Sequence, residues 1–259
     1  MPNYTSHHTK NSLTRSQVAS LELLYRFRFL TTDLAGVLLQ RDRSTVYERF
    51  SVLVSRGYVL QHYESSYRLR RKAARYSLTT KGIAYLRHHT GLPEVGLRRH
   101  YGNQNKPEPF IDEGLERVAR YLRLQQQLPH HDIYTRQELS SADWLSPLPE
   151  LLLKPFTTAT GFTYLLDYMP AQVPTWLMRR RLRQHQDTAD YFRGSYPEVL
   201  LVAGNQSTES RLFAQTESSL QDFRFFITRD ELLLDEMIDA PWVDVDLSET
   251  DDYKRVSLA

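Results

Sequence analysis

The chain has 259 residues, 25% of them charged and 41% hydrophobic, with a formal net charge of +2 and no cysteine. Its length suits two ordinary domains, and 16 tyrosines with 11 phenylalanines exclude a disordered chain. The lack of cysteine excludes disulfides, thiol catalysis and thiolate zinc sites, and no stretch reaches the roughly 18 apolar residues of a membrane helix.

Met1 to Ser12 is polar and carries no apolar secretory segment, so a soluble, cytoplasmic protein with no membrane partner is expected. Leu13-Thr14 then introduces a helix over 15–28, with Val18, Leu21, Leu24 and Tyr25 at amphipathic spacing. Thr31-Thr32-Asp33 supplies cap chemistry for a short second helix to Leu39, and Gln40-Arg41-Asp42-Arg43 reads as a polar turn. Ser44 is the expected N-cap of a third helix, which Gly57 stops. Tyr58 to Tyr63 and Ala74 to Leu78 alternate as strands around a turn at Glu64-Ser65-Ser66, and Thr79-Thr80-Lys81-Gly82 opens a fourth helix. Helix, helix, helix, hairpin, helix is the order of a winged helix-turn-helix over 13–90.

Residues 1–109 carry 18 Lys and Arg against 7 Asp and Glu, whereas 110–259 carry 15 against 24. A basic half of this fold points to double-stranded DNA. A major groove about 12 Å wide admits one helix, whose N-terminal residues reach base edges. Arg43 and Thr45 are therefore expected to read bases, Ser44 and Arg49 to hold phosphate, and Arg41 to position the backbone, with Tyr47 and Glu48 beside them. The wing offers Tyr67, Arg68, Arg70, Arg71, Lys72 and Arg75 to phosphates or an adjacent minor groove. A protein-contact module with solvated arginines is the alternative. His7-His8, His88-His89 and His130-His131 lack the spacing of metal ligands, and no metal or other cofactor is expected.

Glycines and prolines between Thr90 and Phe110 read as a linker over 91–110. Ile111 to Leu128 is an amphipathic helix that would pack on its own domain or on a second copy, so a homodimer is expected. Strand-length apolar runs follow at 132–134, 150–154, 162–168, 199–203 and 223–227, with helices over 175–191 and 207–220. The fold class is thus α+β: the winged helix followed by a mixed α/β domain over 111–229 whose order is compatible with a restriction-endonuclease-like core. The tail from Asp230 to Ala259, with 10 acidic and 2 basic residues, reads as solvated or DNA-excluding, and the acidic half as a site for a protein partner.

The opening Leu13-Thr14 helix, Tyr25-Arg26-Phe27-Arg28-Phe29-Leu30-Thr31-Thr32, the winged helix, Pro149-Glu150 and Leu165-Leu166-Asp167 together resemble the replication-relaxation family of plasmid and mobile-element proteins, to about residue 215. The resemblance implies plasmid replication, DNA relaxation or transcriptional control, and a nuclease-type second half. By position it makes Glu150 and Asp167 the acids of a catalytic site, with Leu165 in place of another acid and Arg181 in place of the lysine. Met169 also stands where such a nuclease strand carries lysine. These departures weigh against an enzyme; an Mg²⁺-dependent nuclease using Glu150, Asp167 and Arg181 remains the alternative. Glycine-rich phosphate loops, Gly-x-Ser-x-Gly and zinc helices are absent, and no tyrosine is marked out as a nucleophile.

Overall fold

The computed structural model describes residues 12–142, 145, 148–156, 162–192, 196–216, 224–245 and 255–258. His7-His8, the 217–220 end of the helix expected over 207–220, and much of the acidic tail lie outside them. The architecture is mixed α+β in two compact units, Met1–Ile111 and Asp112–Ala259. No described helix is long and apolar enough to cross a membrane.

In the first unit, α1 (Arg15–Phe27) starts from a capping box between Thr14 and Gln17. Thr31 caps α2 (Thr32–Leu39), and Gln40 ends it in the left-handed region. The cap of α3 (Arg43–Ser55) is Asp42 rather than Ser44, and it makes no side-chain cap bond. Ser44 thus lies inside the helix, because a chain reversal completed at Gln40-Arg41 is two residues shorter than the turn read from sequence. The strands β1 (Val59–His62) and β2 (Arg75–Leu78) pair antiparallel, and Leu30 bridges to Tyr76 on the free side of β2. Their connection contains a short helix, α4 (Ser65–Leu69), where the sequence suggested only a turn.

Helix α5 (Thr80–His89) explains the Thr-Thr-Lys-Gly sequence. The Thr79 hydroxyl accepts the Gly82 N–H at 3.1 Å. A Cβ on Gly82 would stand 2.3 Å from the Tyr58 carbonyl oxygen, so only glycine permits this approach of helix to strand. Leu21, Leu24, Phe29, Phe50, Leu53, Tyr76, Ile83 and Leu86 are among the residues buried between these elements.

Residues 91–110 are not a linker. They form α6 (Glu94–Arg98) and a 3₁₀ turn over Asn103–Asn105, both inside the first unit. Leu97, His100 and Asn103 are buried there. Arg28 donates from Nη2 to the Arg99 carbonyl at 2.9 Å and to Asn103 Oδ1 at 2.6 Å, and its guanidinium lies 5.0 Å from the Phe110 ring. Pro93 and Gly102, which suggested flexibility, occupy cap positions where their fixed or left-handed φ is used.

The unit boundary falls within α7 (Glu108–Gln127). The second unit is a seven-stranded sheet in the order β3 (His131–Thr135), β4 (Leu151–Pro155), β5 (Tyr164–Met169), β6 (Glu198–Ala203), β7 (Phe225–Arg229), β8 (Trp242–Asp244), β9 (Arg255–Val256). β5, β6 and β7 are parallel and all other pairs antiparallel. Helices α8 (Thr175–Phe192) and α9 (Gln206–Thr216) make the two parallel crossovers. Their face of the sheet buries Leu165, Met169, Val199, Leu201, Phe225 and Ile227 against Met178, Leu182 and Leu212. Leu166, Leu200, Val202 and Phe226, of opposite parity, are buried as well, which accounts for the unbroken apolar runs.

Among the described residues the acidic tail is only in part solvated: Glu231, Asp235, Glu236 and Asp239 are exposed, whereas Asp230 and Asp244 pair with arginines. After α10 (Asp230–Leu234) the chain returns as β8 and β9, with Trp242 fully buried and Asp244 paired to Arg224. Its carboxylates are in part neutralised inside the fold, and composition alone could not reveal their partners.

His100 stacks on Tyr25 with ring centroids 5.4 Å apart. Burial, with Arg28 nearby, pushes its pKa down to about 3 from 6.5, against a backbone hydrogen bond at Tyr25. The unfolded chain takes up this proton below about 6.5 and the folded chain only below about 3, so the stabilisation is whole above 6.5 and drains as pH falls between the two values, by up to about 1.4 kcal/mol per pH unit. His62 is lowered by burial and by Arg75 and acts in the same direction. The urea midpoint of the full chain should therefore fall between pH 7 and pH 4.5, and His100→Gln should flatten that slope.

Candidate functional site

Helix α3 buries Val46, Phe50 and Leu53 on one side, and the 3.6-residue repeat turns Ser44, Glu48 and Ser51 to the opposite side. Arg41, Arg43, Ser44, Thr45, Tyr47 and Glu48 are all exposed, Tyr47 by 56%. Arg43 pairs with Asp33 at 3.2 Å, but with 70% of the Arg43 side chain in solvent this is a weak, screened contact. Arg49 differs from expectation. It points back to α1, where Nη1 reaches Ser20 Oγ at 3.4 Å, because its position flanks the buried face. A cleft of about 370 Å³ beside the start of α3 is lined by Thr32, Arg43, Ser44, Tyr47, Ala73, Ala74 and Tyr76.

The basic residues between β1 and β2 fall into two sets. Arg68, Arg70 and Arg71 are exposed. Tyr67 and Arg75 are buried, and Arg75 donates to the Tyr67 hydroxyl at 2.6 Å, so both belong to the core rather than to a contact surface. Glu108 gathers Lys72 at 2.5 Å, Arg75 at 3.3 Å and Arg70 at 3.4 Å. The hydrogen bond from Lys72 leads the effects that hold its carboxyl below the usual range. A cation inside the fold needs a counter-charge, and that requirement separates Arg75 from its neighbours in a way their spacing does not show.

The second unit has its own cleft, of about 400 Å³, and Glu150, Asp167 and Arg181 all line it. The structure thus brings together the three residues carried over from the family resemblance. Their carboxylates, however, are engaged. Arg181 grips Asp167 through Nε to Oδ2 and Nη2 to Oδ1, both 2.6 Å, and His185 Nε2 lies 2.6 Å from Oδ2. Burial alone would raise the Asp167 carboxyl, but His185 and Arg181 outweigh it and hold the group well below the usual carboxylate range. On its other side, His185 Nδ1 is 2.8 Å from the Tyr196 hydroxyl, whose ionisation burial opposes.

Glu150 belongs to a second cluster. Arg120, fully buried in α7, reaches Glu150 Oε1 and Asp230 Oδ2 at 2.9 Å each and lies 4.0 Å from the Tyr168 ring centroid. Arg117 approaches Glu150 Oε2 at 3.4 Å. A Mg²⁺ ion needs free carboxylate oxygens, and here guanidinium groups occupy both acids. Among the described residues no group of three His, Asp or Glu side chains could hold a metal ion. Met169, where nuclease chemistry would want lysine, is buried in the core. The residues present do not fit a metal-dependent hydrolytic centre.

No protein-family model, curated protein or solved structure matches the chain.

Sequence reasoning missed His185, Tyr196, Arg120 and Asp230. His185 was within reach, four residues after Arg181 and so on the same face of α8. Arg120 was not, because its partners lie 30 and 110 residues away. Truncating it leaves Glu150 and Asp230 without their main counter-charge, so Arg120→Ala should cost about 3–5 kcal/mol of stability, read by denaturant unfolding. Arg117→Ala, at a partly exposed contact, should cost less than about 1 kcal/mol.

Proposed function

We propose that the first unit is a winged helix-turn-helix that binds double-stranded DNA, with α3 as its recognition helix and the β1–β2 connection as its wing. The observation that carries this reading is the exposed set Arg41 and Arg43 at the entry to α3, with Ser44, Thr45 and Tyr47 in its first turns. Such a set offers donors for base edges and for phosphate together. The helix order, the pairing of β1 with β2 and the glycine-dependent approach of α5 to β1 support the fold assignment. The missing side-chain cap on α3 leaves first-turn N–H groups open to a phosphate.

The protein then acts as a sequence-reading DNA-binding factor in replication, relaxation or transcriptional control. Its plasmid or mobile-element setting rests on the resemblance to the replication-relaxation family. The order α7-β3-β4-β5-α8-β6 supports a restriction-endonuclease-like second unit whose acids have become structural, serving partner contact instead of cleavage. A homodimer reading two half-sites is part of this proposal. Since α7 buries Val118, Tyr121 and Leu124, its apolar stripe is already used, and the dimer would form elsewhere. The nuclease reading keeps one observation in its favour, the shared cleft of Glu150 and Asp167.

The test is binding of the full chain to mixed genomic duplex fragments at two salt concentrations, with and without Mg²⁺. Fragments retained intact and lost at higher salt are expected. Arg43→Ala should lower affinity by about 1–3 kcal/mol and relax preference at one base pair, whereas Arg68→Ala should weaken all sequences alike and reduce the salt slope by about one. Mg²⁺-dependent cutting that disappears in Asp167→Ala would replace this reading with the nuclease.

A further inference from the structure

The β1–β2 connection presents Arg68, Leu69, Arg70 and Arg71 in succession, all exposed, with Leu69 at 88%. Single surface leucines are ordinary. This one is unusual in its setting, because its chain neighbours are guanidinium groups. The tip is also held in shape. The Lys72 N–H bonds the Tyr67 carbonyl at 2.9 Å and the Arg71 N–H bonds the Arg68 carbonyl at 3.3 Å, the paired bonds that close a Schellman turn. The left-handed residue of that turn, glycine's usual place, is Arg71 with φ +53°. The chain accepts backbone strain there while placing a cation at the tip, and strain of this kind collects at contact sites. Below the tip, Tyr67, Arg75 and Glu108 form a fixed base.

We propose that this tip enters the minor groove of duplex DNA, with Leu69 wedged at a base step and Arg68 and Arg71 on the phosphates of the two bordering strands, and that it bends the duplex. The proposal rests on the DNA-binding reading and adds a shape requirement to it. A minor groove about 6 Å wide refuses a helix about 10 Å across but admits one side chain at its end. The walls of that groove are phosphates, and its potential favours arginine. An apolar wedge partly unstacks a step and kinks the duplex away from the protein, most easily at TA and CA steps. A lipid surface would call for an apolar helix face, and one leucine on a five-residue helix does not provide it. The preferred ligand is therefore a deformable duplex with a pyrimidine–purine step set one wing's reach from the α3 contacts.

The experiment uses the full chain and duplexes of about 40 base pairs, end-labelled with a donor and acceptor dye pair and differing only in a TA, CA or GC step moved along the sequence. Wild type should shorten the end-to-end distance, most for TA at one position. Leu69→Ala should abolish the shortening and the step preference while lowering affinity by no more than about tenfold, since the phosphate contacts persist. Arg71→Gly should lose several-fold in affinity with no fall in the thermal midpoint, the strain having been relieved. Because both positions are exposed, unchanged circular dichroism would exclude misfolding. Equal bending by Leu69→Ala and wild type would overturn the wedge and leave DNA binding standing. A wild-type chain that binds none of these duplexes, or genomic fragments, would overturn both.

Discussion

The Arg120 guanidinium has no contact with water, and a cation so placed is tolerated only where anions and hydrogen bonds replace its hydration. Glu150, from the approach to β4, and Asp230, from the start of α10, supply the anions, and Tyr168 of β5 supplies an aromatic face. One side chain thereby ties α7 to β5, to the approach to β4 and to the end of β7. Asp230 registers the arrangement: burial raises its carboxyl pKa, and the charge of Arg120 opposes that rise. The second unit draws stability from this pairing, and the pairing bears on what its acids can do. At Glu150, turning an oxygen from Arg120 toward Mg²⁺ would weaken the pairing of a fully buried arginine. The cost of that exchange falls on the fold.

The same constraint sorts the cations of the first unit. Arg75 is buried and depends on Glu108 and the Tyr67 hydroxyl, so it is unavailable to a ligand although it sits in the same basic run as Arg68 and Arg71. Lys72 shares that carboxylate. What remains at the tip is a smaller set of exposed arginines on a rigid base, and rigidity matters because ordering a loop on binding would consume part of the contact energy. The positively charged surface left over is narrow and directed.

Much of the fold was legible in the residues themselves. The parallel strands announce themselves as runs such as Val199 to Ala203, because burial on both faces leaves no polar alternation, and the threonines at 31 and 79 cap the helices they precede. The failures share one cause. Gly102 and Pro93 report a turn and a helix start, but not whether the backbone around them is packed; that depends on Arg28, whose partner Asn103 lies 75 residues along the chain. Likewise Asp230 and Asp244 look like parts of a solvated end until Arg120 and Arg224 are found opposite them. At the candidate site, the exposure of Ser44, Thr45 and Glu48 was readable from helix phase, whereas Arg43 shares the phase of Val46 and Phe50 and is exposed because it opens the helix, and the inward turn of Arg49 and Arg75 needed the third dimension.

The charge asymmetry of the sequence therefore has two components with different meanings. In the second unit Glu150, Asp167, Glu209, Asp230 and Asp244 are each paired with arginine, so a large part of its acidity is internal wiring. In the first unit Arg41, Arg43, Arg68, Arg70 and Arg71 remain at the surface after pairing. Net charge per half, taken from composition, adds these unlike quantities together. The field a ligand feels comes chiefly from charges that are not neutralised at short range, and among the described residues these include Arg41 at the entry to α3, Arg68 and Arg71 at the tip between β1 and β2, and Arg180 and Arg183 on α8. Under the proposed function, the basic residues at the start of α3 would meet the major groove and those at the tip the minor groove, the two faces that a single turn of duplex presents.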